Sequence, residues 1–178
     1  MLIVTCADLF GFSGAQESNN MGMPGDAPSF FVAFSVDDDE RFDALCAAFE
    51  AIKHDKDTGE WRDEEDWLAY FDDDALAHFW WPTKEEKDEH WRRWENAPIP
   101  EQLTDPALEP PSWDFLSMIG AFQDCEFDLL ACRMVDEQSG RIEFDPQAFP
   151  YGGTGCIQML VRAFGFNVTE VVDGYLPG

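Results

Sequence analysis

The residues with types and spacing suited to chemistry fall into a few groups. Tyr151-Gly152-Gly153-Thr154-Gly155 stands ahead of a stretch that reads as a helix. Glycines let backbone N–H groups approach an anion, and the amino end of a helix attracts one. Yet the Gly-Lys-Ser/Thr ending of a phosphate loop and the spacing of a dinucleotide fingerprint are both missing, and no Lys lies nearby. A tight turn with Thr154 as helix N-cap is the favoured reading. Asp55-x-Asp57-x-Gly59, followed by Asp63, Glu64, Glu65 and Asp66, is similar to part of a calcium loop. Hard cations want several carboxylate oxygens on a flexible turn. The glycine comes one place early and the twelfth position is Asp66 rather than Glu, so a solvated acidic turn is favoured.

His54, His78 and His90 lie on separate segments. Glu86 and His90 are four apart, as two metal ligands on one helix face would be, but no His-x-x-x-His pair exists. Surface or boundary histidines are expected. Cys6, Cys46, Cys125, Cys132 and Cys156 are odd in number and scattered, with no C-x-x-C pair. They read as free, mostly buried thiols in a reducing, cytoplasmic setting. No G-x-S-x-G motif occurs. Paired carboxylates carry no information among 37 acidic residues. A glycosidase would need two of them in a cleft lined by tryptophan. Trp61, Trp67, Trp80, Trp81, Trp91 and Trp94 leave that open, but core packing explains several at helical spacing. These motifs imply no cofactor and no metal; an enzyme or metal-binding protein with a carboxylate site is kept as the rival class.

The charge is the remaining signal. The 178 residues carry 37 acidic and 11 basic groups, a net of −26. Such a surface repels itself at low salt and disfavours phosphate backbones and anionic membranes. Direct nucleic-acid or membrane binding is therefore not expected. Apolar residues make up 45% and aromatic residues 15% of the chain, enough for a core. No stretch approaches the roughly 18 apolar residues that span a bilayer. Met1 to Ala15 has no basic n-region, and Asp8 interrupts its apolar run, so no signal peptide is read.

Residues 37–95 concentrate 21 acidic and 8 basic residues, a net of −13, interleaved with aromatics. Aromatics beside charges are what protein interfaces use as anchors. The candidate partner-binding residues are Asp37, Asp38, Asp39, Glu40, Asp63, Glu64, Glu65, Asp66, Asp72, Asp73 and Asp74, with Trp61 and Trp81. The leading expectation is a non-enzymatic inhibitor docking on a basic protein surface, plausibly one made for nucleic acid. In charge alone the chain is similar to phage-encoded DNA mimics of anti-defence type and to immunity proteins that neutralise toxins. No motif carries that likeness, and no residue is assigned from it. Solubility is the competing explanation of the charge.

These residues need elements to hold them. Leu2 to Cys6 reads as a strand and Gly11 to Pro28 as a long loop. Ser29 to Val36 reads as a buried strand. Asp37-Asp38-Asp39-Glu40 opens a helix whose apolar stripe is Phe42, Leu45, Cys46, Phe49 and Ile52. Asp63 to Phe79 holds one or two helices, with Trp67, Leu68, Phe71, Leu76 and Phe79 inward. Thr83-x-x-Glu86 is a capping box for a helix over Lys84 to Glu95, with Trp91 and Trp94 on one face. Ala97 to Pro111, with five prolines, reads as an extended connection, and Trp113 to Phe122 as a short helix. Glu126 to Val135 and Arg141 to Asp145 form a hairpin around Gln138-Ser139-Gly140. A helix over Gly155 to Phe164, stopped by Gly165, and a strand over Phe166 to Val172 complete the chain. The sum is a single α+β domain over 1–178 with a small antiparallel or mixed sheet, a carboxyl-terminal hairpin-helix-strand unit and an acidic helical middle. Its natural subdivision is 1–96, 97–111 and 112–178.

Overall fold

The computed structural model describes residues 30–105, 108, 112–148 and 152–174. The strand read at Leu2 to Cys6, the loop at Gly11 to Pro28 and Cys6 lie outside them. In chain order the elements are β1 (Phe31–Ser35), α1 (Asp39–Thr58), α2 (Glu64–Leu68), α3 (Asp73–Leu76), α4 (Lys84–Asn96), α5 (Ile99–Thr104), α6 (Phe115–Asp124), β2 (Phe127–Asp136), β3 (Ser139–Pro146), α7 (Gly155–Ala163) and β4 (Val168–Val172). The architecture is a single α+β domain.

The four strands form one antiparallel sheet in the order β2-β3-β1-β4. Without α2 to α6 the connectivity is β-α-β-β-α-β, the split β-α-β arrangement. The acidic middle is thus an insertion between α1 and β2. Because β1 pairs with both β3 and β4, the two parts of the sequence share one sheet.

Alternation decides which face is covered. Val32 opposes Ile142, which opposes Cys132, and Leu129 opposes Phe144, so these share the core face. Against it pack Leu45, Phe49 and Ile52 of α1 and Ile157, Leu160 and Val161 of α7. The opposite face carries Arg133, Arg141 and Glu143, with Arg133 bonded to Glu143 at 2.5 Å and Arg141 stacked 3.9 Å over Phe31. The insertion extends the same core. Phe115 meets Phe71 and Phe79 edge-on at 5.0 and 5.1 Å, and Phe71 leans on Phe164 at 5.3 Å. Edge-on and tilted rings at these separations are the preferred aromatic geometry.

Three local readings change. The five-proline connection is not wholly extended: α5 occupies Ile99–Thr104, with Pro98 at its N-cap position and Pro100 inside its first turn, where a missing N–H costs nothing. The hairpin turns at Glu137-Gln138, while Ser139 and Gly140 belong to β3. Gly140 is a strand residue because the Phe34 ring fills its side-chain space; a Cβ there would lie 2.4 Å from Phe34 Cε2. Thr154 does occupy the N-cap position of α7, but it makes no cap bond; its Oγ1 accepts from Gln158 Nε2 at 3.0 Å instead. Elsewhere the structure follows the pattern closely, and the Thr83–Glu86 capping box of α4 forms in both directions.

Candidate functional site

The candidate acidic residues first serve the fold. Asp38, Asp63 and Asp72 are the N-caps of α1, α2 and α3, each accepting a backbone N–H three residues on. Asp39, Glu40, Glu64, Glu65, Asp66, Asp73 and Asp74 fill the first turns, where the helix dipole favours negative charge. All of these carboxylates, with Asp37, remain exposed. Arg41 brings two of the three groups together. Its Nη1 binds Asp72 at 2.6 Å, and its Nε donates to Phe164 O at the end of α7. Asp37 and Asp39 also line a shallow groove with Glu137, next to the hairpin turn. Asp63 to Asp66 follow Arg62, which is held beside Ala51 and Asp55 toward the other end of α1.

Asp72 illustrates the energetics. The N–H of Ala75 holds its carboxyl below the ordinary range, against a small opposing effect of burial and with help from Arg41. Asp72→Ala should cost about 1–2 kcal/mol by denaturant melts, and Asp72→Asn, which still caps, clearly less. A lowered carboxyl stabilises the fold above its unfolded value and loses that contribution as pH falls through its folded value. The difference between wild type and Asp72→Ala should therefore be constant from pH 7 to 5 and shrink below about pH 4.

The basic residues are committed internally. Arg41 and Lys56 sit at the carboxyl ends of α7 and α6; Lys56 Nζ donates to Phe122 O and Cys125 O, each at 2.7 Å. Arg62 binds the buried Asp55 at 2.5 Å, and Arg162 reaches Gln158. Lys53, Lys84, Lys87, Arg92, Arg93, Arg133 and Arg141 each pair with a carboxylate. Every Lys and Arg of the chain is accounted for among the described residues. The charge left to a partner is negative.

The resemblance to a calcium loop dissolves in the same geometry. Asp55 and Asp57 belong to the last turn of α1, and Gly59 ends that helix with φ 74°. Asp55 is 1% exposed and takes both the Arg62 N–H at 2.9 Å and its Nη1. Glu86 is occupied by Thr83. Among the described residues no three His, Cys, Asp or Glu side chains come together as metal ligands.

The feature that sequence reasoning missed is an aromatic pocket of about 150 Å³. Trp80, Trp91 and Trp113 line it, with His90, Lys87, Asp114 and two serines. The chain returns from the proline-rich segment alongside residues 78–80: Trp80 N donates to Trp113 O at 2.8 Å, and Ser112 Oγ to His78 O at 2.6 Å. That return faces α4, whose positions 87, 90 and 91 point the same way. His90 was expected at the surface or the boundary; it is buried, edge-on between Trp80 and Trp91 with both centroids 5.5 Å away. Trp113 lies against the first turn of α7, where a Cβ on Gly155 would meet its ring at 3.0 Å.

At the pocket edge, burial works to raise the Asp114 carboxyl. The N–H and Oγ of Ser117 and the Lys87 ammonium outweigh it, so the carboxyl stays below its usual range. Asp114 also caps α6. Trp81 stands beside the pocket, its ring stacked on Phe115 at 5.4 Å and its Nε1 bonded to Leu76 O. Core packing was expected for several tryptophans, yet Trp67 alone is fully buried among the described ones, and Trp81, Trp91, Trp113 and the neighbouring Leu116 are exposed. Trp61 is not part of this surface; it packs on Trp67 at 6.2 Å at the margin of the core.

Comparison of the chain with protein-family models, with curated proteins and with solved structures finds no match. Among the described residues no helix is long and apolar enough to cross a membrane.

Proposed function

We propose that the chain is a non-catalytic binding protein that docks on a basic surface of a partner protein. Its anchor point is the pocket of Trp80, Trp91 and Trp113, which receives an arginine side chain of that partner. The observation that carries this reading is the coincidence of three indoles lining one pocket with a surface whose own cations are all engaged by carboxylates, carbonyls or an amide of the chain. An arginine combines an apolar stem with a planar cation that stacks on indole, a contact worth roughly 0.5–2 kcal/mol. Surrounding carboxylates steer a basic surface toward the pocket and speed the encounter.

Charge spacing bears on the partner. The outward carboxylates of α1 are Asp39, Glu40, Asp43, Glu50 and Asp57. Over that span they average about one charge per 7 Å at ~1.5 Å rise per residue. Duplex DNA carries one per ~1.7 Å of axis. An ordinary protein contact with a few basic residues suits this spacing better than a copy of the phosphate backbone. Inhibition of a nucleic-acid-handling protein and neutralisation of a basic toxin are two settings for the same contact.

The test uses a short Lys/Ser peptide with one central arginine, titrated by calorimetry at low and high salt. The citrulline version of the peptide keeps the shape and removes the cation. About tenfold tighter binding of the arginine peptide supports the proposal; equal binding of the two, or no binding at low salt, overturns it.

A further inference from the structure

Four cysteines that look unrelated in sequence meet as two pairs. Cys46 in α1 and Cys132 in β2 are 86 residues apart, and their sulfurs lie 3.4 Å from each other. Cys125, at the carboxyl end of α6, lies against the turn that leads into α7, its Sγ 4.0 Å from Gly153 O, and its thiol interacts with that of Cys156 in the first turn of α7. We propose that Cys46–Cys132 and Cys125–Cys156 are two redox-active dithiols that close to disulfides by exchange with a small-molecule disulfide such as oxidised glutathione.

The surroundings suit the exchange. In the second pair Cys125 is half-buried while Cys156 is 1% exposed; Cys46 and Cys132 are both half-buried. The bond from Cys156 brings the Cys125 thiol down to about 7, against burial and with the nearby Lys56 ammonium assisting. The Cys156 thiol is pushed up by the same bond and by burial. Cys46 is lowered by its bond with Cys132, and Cys132 is raised. Each pair therefore has one thiol that loses its proton more readily and attacks first, and a second that resolves. Gly152 lets the backbone pack directly against the Cys125 sulfur: its φ is 92°, and a Cβ there would lie 2.7 Å from Sγ.

The step balances. The Cys125 thiolate attacks one sulfur of oxidised glutathione and releases one glutathione thiolate, which leaves a mixed disulfide. Cys156, its proton passing to the released thiolate, then attacks the Cys125 sulfur and expels the second glutathione. Two protein thiols have been oxidised and one glutathione disulfide reduced to two thiols. Cys46 and Cys132 follow the same course. The bridges would join α1 to β2 and α6 to α7. The second fixes the helix whose amino end carries Asp114 and the Trp113 wall of the pocket. No metal competes for either pair, since neither has a third ligand among the described residues.

The experiment incubates the full chain carrying Cys6→Ser with oxidised glutathione and maps disulfides by mass spectrometry without reduction. The expected product has lost the mass of two hydrogens per bridge and contains the Cys46–Cys132 and Cys125–Cys156 peptides. Its thermal midpoint should rise by roughly 5–15 °C. Cys156→Ser should trap Cys125 as a stable glutathione adduct, because the resolving thiol is gone. Four thiols still free after incubation, or bridges between the wrong partners, would overturn the proposal. Because folding of the parent chain is monitored by circular dichroism, a misfolded variant cannot stand in for either result.

Discussion

Arg62→Met is expected to destabilise the fold by about 3–5 kcal/mol in denaturant melts. Asp55 is 1% exposed, and its carboxylate relies on Arg62 for a 2.5 Å ion pair and a backbone N–H. Removing the guanidinium leaves a buried anion without its counter-charge. The same guanidinium lies over the rings of Trp67 and Tyr70, at 5.2 and 5.3 Å, and donates to Ala51 O at 3.0 Å. It thereby ties α1 to the start of the insertion. Methionine keeps most of the stem, so the loss reports the charge and its hydrogen bonds more than the volume. The double variant Asp55→Asn, Arg62→Met should recover part of the stability, because the orphaned charge is then gone. A loss below about 1 kcal/mol for the single variant would show that Asp55 finds water or another partner.

The second large effect belongs to the pocket. Trp113→Ala should weaken binding of the arginine peptide by about tenfold or more, a typical loss for an indole anchor. Trp113 is 37% exposed and packs on Gly155, so it combines an open face with a fixed position. Its removal should leave the Phe71, Phe79 and Phe115 cluster in place. Trp61→Phe serves as the comparison, since Trp61 packs against Trp67 away from the pocket lining. It should change peptide affinity by less than about twofold, a difference below ~0.5 kcal/mol. Salt should weaken both proteins in parallel, because the surrounding carboxylates act at longer range than the indoles.

What could be read from the sequence depended on how local the cause was. The helix starts were legible where an N-cap and an acidic first turn lie within four residues, as at Asp38, Asp63 and Thr83. The α1 stripe was legible from its period, and Leu45, Phe49 and Ile52 are fully buried. Gly140 misled, because a glycine near a hairpin suggests a turn, whereas here it makes room for Phe34 across the sheet. The strand order was out of reach, since β1 pairs with strands more than 100 residues on. The acidic groups were legible both as helix openers, at Asp37 to Glu40, and as candidate contacts, because spacing alone does not separate a cap from a contact. Trp80 and Trp113 stand 33 positions apart, and only the returning chain places them side by side. The local trace of the pocket was Asp114-x-x-Ser117, a cap pattern directly after Trp113. For the thiols, no short motif could announce pairs that meet across the core.

The most direct measurement is a two-dimensional NMR titration that follows the seven tryptophan indole N–H signals as the arginine peptide is added. Single substitutions assign the signals. The proposed docking predicts saturable shifts at Trp80, Trp91 and Trp113, smaller ones at Trp81, and none at Trp61 and Trp67, with the citrulline peptide producing little change. Shifts spread evenly over all seven indoles, or confined to backbone signals near Asp37 to Glu40 and Asp63 to Asp66, would contradict it. They would mean that the negative surface attracts cations without a defined place to hold them.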